Sequence, residues 1–185
     1  MGQGTLPPLA GWVSFYEIVG SAAGALTGLQ FVVMTLISST RQSGSVHEIR
    51  AFGTPTVVHF CAALLLSGIM SAPWPAMSNV DVCLASCGFA GLLYSVRIVS
   101  HARKGKYSPD TGDWIWYVAA PVLAYLALVT SAFLFWLNLK WSLFVVGAVS
   151  LTFLFLGIHN SWDTVTYLSI RNWTKTEEEK TEAQN

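Results

Sequence analysis

The stretch WSLFVVGAVSLTFLFLGIHNSWDTVTYLSI, residues 141–170, decides the fold. A bilayer core of about 30 Å is crossed by roughly 20 apolar residues in a helix. This run exceeds that length, so it either crosses and projects beyond the membrane surface or tilts strongly. Working outward from it, four more stretches qualify: 12–38, 54–72, 79–99 and 114–138. Only Leu139 and Lys140 separate the last two of the five, which predicts a tight antiparallel hairpin. The turn Pro73, Trp74, Pro75 joins the second span to the third and predicts that they too are neighbours. The expected fold is all-α, a polytopic membrane bundle of five transmembrane helices.

Composition agrees. Of 185 residues, 53% are hydrophobic and 11% are Asp, Glu, Lys or Arg, whereas a soluble domain carries about a quarter charged residues. Ten basic and ten acidic residues cancel, which argues against nucleic acid as a partner. The bilayer is the expected one. The three cysteines, Cys61, Cys83 and Cys87, show no metal or redox spacing and read as small packing residues. Residues 1–11 contain no Lys or Arg, so no signal-peptide basic region precedes the first span.

Five spans place nine of the ten basic residues on one side: Arg41, Arg50, Arg97, Arg103, Lys104, Lys106, Arg171, Lys175 and Lys180. Lys140 alone is on the other. By the excess of positive charge in cytoplasmic loops, residues 1–11 are expected outside and the carboxyl terminus in the cytoplasm. Trp12, Trp74, Trp136 and Trp141 then mark the outer interface, and Trp114, Trp116, Trp162 and Trp173 the inner one. Residues 172–185, with four Glu and no apolar run, are expected to form a disordered cytoplasmic tail.

Within the first span Gly20, Gly24 and Gly28 recur every four residues, a groove that lets another backbone approach closely. Its occupant is either a helix of the same chain or another copy in a homo-oligomer. Glu17 lies on the same face. In lipid a carboxylate is expensive and suggests function, either as a cation or proton site at an outer mouth or as a group capped at the helix end. On the inner side Arg50, His59, Arg97, His159, Asn160 and Asp163 are expected to converge. Three readings fit that cluster: a structural bridge from Asp163 to Arg50 or Arg97, an ion or solute pathway, or a metal or haem site. Two histidines are weak evidence for the last, so no metal and no cofactor is expected. Pro55 suits a first helical turn, and Pro121 predicts a kink by removing the bond to Tyr117.

No catalytic fingerprint of a hydrolase, metalloprotease, P-loop or dinucleotide enzyme occurs, so an enzyme is the less favoured reading. The favoured function is an oligomeric channel or transporter-like conduit for an ion or small solute. The alternative is a non-transporting scaffold or assembly factor that binds another membrane protein through the glycine groove and residues 100–113.

The blocks GSAAGALTGLQFVV (20–33), RAFGTPTVVHF (50–60) and HNSWDTVTY (159–167) resemble a family of small, uncharacterised bacterial integral membrane proteins. The resemblance extends from the first span to the fifth. It implies a bacterial inner-membrane location and brings no activity and no catalytic residues.

The charge bias generates a direct test of direction. A Ser108→Cys variant in a cysteine-free background should be labelled by an impermeant thiol reagent only after the cytoplasmic face is opened. Labelling from the outside would overturn the orientation.

Overall fold

Backbone polar groups in lipid must be satisfied within their own segment, which favours helices wherever the chain is apolar for 20 residues. The computed structural model describes residues 9–39, 46–102, 114–137 and 141–184, with side chains described over 9–35, 54–100, 114–137 and 141–166. The described residues form helices and turns without a strand. A short 3₁₀ turn, Ala10–Trp12, leads into α1, Val13–Ser39. Then come α2, Val46–Ser71, and α3, Met77–Ala102. A π-helical turn, Ile115–Ala119, opens α4, Ala120–Trp136, and α5 covers Trp141–Gln184. Among the described residues five segments are long and apolar enough to cross a membrane: Ala10–Thr35, Thr54–Ser71, Met77–Ser100, Ile115–Trp136 and Trp141–Thr166. These helices fit an integral membrane protein.

Two ends of the bundle can be distinguished. The turn end holds the start of α1, residues 72–76, the end of α4 and the start of α5; the loop end holds the other helix termini and the extension of α5. Half of the fifth span is buried but only 17% of the first, so α5 is the hub and α1 is peripheral. Strong packing runs α1 on α2, α2 on α5, α5 on α4 and α4 on α3. The predicted α4–α5 neighbours are therefore found, although residues 139–140 lie outside the described residues. The α2–α3 contact is light. Main support for α3 comes from α4 instead.

Between apolar helices in lipid there is no water to expel, so association depends on close packing. Four glycines supply it. A Cβ on Gly91 would lie 2.1 Å from the Tyr125 ring, and one on Gly88 would lie 2.6 Å from Val129 Cγ2. On α5, a Cβ at Gly157 would meet the Phe60 ring at 2.4 Å, and at Gly147 the Trp12 ring at 2.9 Å. The expected groove of α1 is used only at Gly20, where a Cβ would stand 3.0 Å from Ser67 Cβ. Gly24 and Gly28 face open space. The buried positions of α1 are Tyr16, Val19, Ala23 and Gln30, a neighbouring face of the helix.

Other expectations shift as well. α2 starts at Val46, so Pro55 sits inside a helix rather than in its first turn, at the cost of the bond its missing N–H would have given to residue 51. Ahead of Pro121 the ladder widens, with the Ala120 N–H donating to the Ile115 carbonyl five residues back. A π turn thus takes up the disruption expected from Pro121. The helix of α5 continues through Gln184 over the tail expected to be disordered; extending an already nucleated helix is much easier than starting one. Cys83 and Cys87 are half-buried and pack against the core as small residues, whereas Cys61 is exposed, and a thiol is apolar enough to face lipid.

The glycine contacts separate two classes of substitution. Gly91→Ala and Gly157→Ala should each destabilise by about 1–3 kcal/mol through overpacking, measured by loss of helical signal during denaturation in detergent. Gly24→Ala and Gly28→Ala should be neutral or stabilising by up to about 1 kcal/mol, since only helix propensity changes.

Candidate functional site

On a helix, successive residues point 100° apart. At the loop end of α5 that geometry distributes three consecutive polar residues to three different helices. His159 faces α4, where its imidazole stacks on Trp116 with ring centroids 4.0 Å apart and planes 29° from parallel. Asn160 faces α2, its Nδ2 lying 3.5 Å from His59 Nδ1. Ser161 faces α1, its hydroxyl donating to Gln30 Oε1 at 3.1 Å. The expected convergence is thereby divided. Asn160, His59, Thr56, Thr164 and Gln30 are buried, whereas His159 and Asp163 are 32% and 41% exposed.

The buried side is held by shape. Phe60 lies over Gly157, one turn before Asn160, and brings α2 close enough for His59 to reach α5. The His59 ring is nearly parallel to that of Phe153, with centroids 6.0 Å apart, and Phe153 meets Tyr125 at 4.6 Å. Since Tyr125 rests on Gly91, a row of rings links α2, α5, α4 and α3. If the Asn160 amide donates, His59 accepts on Nδ1 and carries its proton on Nε2. Asn160 Oδ1 is buried without a partner. An unpaired amide oxygen of this kind costs about 1–3 kcal/mol.

Most other buried hydroxyls are satisfied on their own helices. Ser67 donates to the Ala63 carbonyl, Ser95 to Gly91, Ser150 to Val146 and Thr164 to Asn160, all at 2.8–2.9 Å. They do not tie helices together. The contacts at Asn160 and Ser161 do.

On the exposed side, His159 Nε2 lies 3.2 Å from Asp163 Oδ2, one turn later on the same helix. The carboxylate expected to bridge to an arginine thus meets, through Oδ2, a histidine of its own helix. Arg97 is exposed on α3, and the side chain of Arg50 lies outside the described residues. Among the described residues no group of three His, Cys, Asp or Glu could hold a metal ion.

At the turn end, Glu17 is exposed on α1. Trp12, Phe15, Tyr16 and Phe144 form an aromatic cluster there, with Trp12 edge-on to Phe144 at 4.9 Å. Two polar atoms at this end are not evident from spacing. The Tyr16 hydroxyl and Asp81 Oδ1 are both buried without a partner. Asp81 is a second acidic residue inside a span at this end, because α3 starts at Met77 and puts it in the second turn. Its place near the edge of an apolar run was the available signal.

The chain matches no family model, no curated protein and no solved structure. Its class therefore rests on the helices themselves: a five-helix bundle that fits a membrane.

A double-mutant cycle probes the central contact. His59→Ala and Asn160→Ala should show a coupling of about 0.5–1 kcal/mol in unfolding free energy, typical of polar contacts between helices in lipid. Strictly additive effects would mean that the two side chains are merely adjacent.

Proposed function

We propose that the protein is an oligomeric conduit for an ion or small solute, built around the uncovered face of α1. The observation that carries this reading is the character of that face. Exposed along it are Glu17, Ser21, Ala25 and Gly28, with open space beside Gly24 and Gly28. Lipid makes a poor neighbour for a carboxylate and gains little from small residues, whereas another helix or a watery path suits both. In the assembled form α1 of each copy stands towards the axis, with Glu17 near the outer mouth.

The cytoplasmic end of the path turns inward between α1 and α5, where Ser161 meets Gln30 and His59 and Asn160 lie behind them. The unpaired Asn160 oxygen supplies an acceptor for a passing cation, water or solute donor. The charge bias supports a carboxyl terminus in the cytoplasm, and the resemblance of the sequence blocks supports a bacterial inner membrane.

Flux measurements on reconstituted protein test the proposal. Vesicles containing the purified chain should pass small ions or solutes faster than empty vesicles, and Glu17→Gln should lower that flux several-fold. Disulfide crosslinking of Ser21→Cys in a cysteine-free background should join copies of the chain. Flux equal to that of empty vesicles would end the conduit reading. Crosslinking in cells to one different membrane protein would favour the scaffold alternative.

A further inference from the structure

The α4–α5 seam is a second surface, on the opposite side of α5 from the α1 contact. An open groove of about 570 Å³ runs along it, lined among others by Ala120, Ala124 and Ala127 of α4 and by Phe144, Ala148 and Thr152 of α5. Its walls are almost wholly apolar. Small side chains on both helices leave the space, because an alanine row cannot fill a crossing that Leu or Phe would close.

At the loop end the same seam changes character. Trp116 lies one turn before Ala120, and His159 lies seven residues after Thr152, roughly 10 Å along the axis. There the Trp116 ring, the His159 imidazole and the Asp163 carboxylate stand together, each between about a third and two-fifths exposed. One seam thus joins an apolar slot to a polar cluster at the depth of a membrane interface. A lipid tail extends through about half of the hydrocarbon core, roughly 15 Å. Measured back from His159, that distance reaches the level of Val149, which lines the groove.

From this continuity we infer that the α4–α5 seam binds one phospholipid with an amine headgroup, its tail in the alanine-walled groove and its ammonium at Asp163. The charge arrangement selects the head. His159 Nε2 meets one carboxylate oxygen, Oδ2, and the lipid amine donates to the other. The Trp116 indole lies at the depth where amphipathic rings settle among headgroups. A glycerol head can offer the carboxylate only neutral hydroxyls beside a net negative phosphate, a weaker match than an ammonium.

The test uses the full chain reconstituted in vesicles containing equal amounts of ethanolamine and glycerol phospholipids, then extracted in mild detergent and weighed by native mass spectrometry. The wild-type protein should keep the ethanolamine lipid over the glycerol lipid by about threefold, the scale of one half-exposed ionic contact. Asp163→Asn should bring that ratio to about one. Ala148→Phe, at an exposed groove position, should lower the retention of both lipids and leave their ratio unchanged. Unchanged thermal unfolding of both variants shows that the fold is intact, and a variant that unfolds early is replaced by Asp163→Ser or Ala148→Leu, with the same expected outcomes. Equal retention of the two lipids by the wild type, an unchanged ratio in Asp163→Asn, or full retention in Ala148→Phe would each overturn the proposal.

Discussion

Close approach of rings to glycines is the constraint on which the bundle depends. In a membrane, leucine gains little by leaving lipid for protein, so helices associate where backbones can approach and polar groups can meet. The row from His59 through Phe153 and Tyr125 to Gly91, together with Phe60 on Gly157, provides that approach across four helices. Position 157 has a further consequence. By admitting the Phe60 ring it sets the depth at which α2 meets α5, and only at that depth does His59 stand opposite Asn160. The polar contact is made possible by packing and does not create it.

A helix at the centre of a bundle has to offer something different to each neighbour, and α5 does so within three residues. His159, Asn160 and Ser161 turn in steps of 100° towards α4, α2 and α1. A slip of one residue in α5 would exchange all three partners at once. The polar contacts thus define the rotation of α5 in a bundle whose apolar surfaces would tolerate several. Specificity of this kind is better established for buried polar groups than any large contribution to stability.

Length and hydropathy were enough to read the five spans from the sequence, because the cost of unpaired backbone in lipid leaves so few alternatives. Termini were less legible: helices run past the apolar stretch wherever nothing stops them, as at Val46 and through Gln184. The choice of packing glycines was not legible. A four-residue glycine repeat announces a groove in α1, but the contacts are made at Gly88, Gly91, Gly147 and Gly157, single small residues whose nearest partners lie 34 to 135 positions away in the chain. Periodicity describes one helix, and a contact needs two. For the same reason His159 and Asn160 could be assigned to one sector of α5 by angle, while their opposite environments depend on where α2 and α4 stand.

The separation of that sector gives the loop end two distinct chemistries. On the α2 side, His59 and Asn160 are removed from solvent, and the amide oxygen is left unpaired where neither lipid nor a backbone donor reaches it. On the α4 side, His159 and Asp163 pair with each other beside Trp116, half-exposed at the loop end. An exposed pair of that kind contributes little to stability. A buried, incompletely satisfied amide has the opposite character: it is costly in the resting molecule, and the cost falls when a water, cation or donor group arrives. One turn of one helix therefore holds an exposed ion pair on one side and a buried, incompletely satisfied amide on the other.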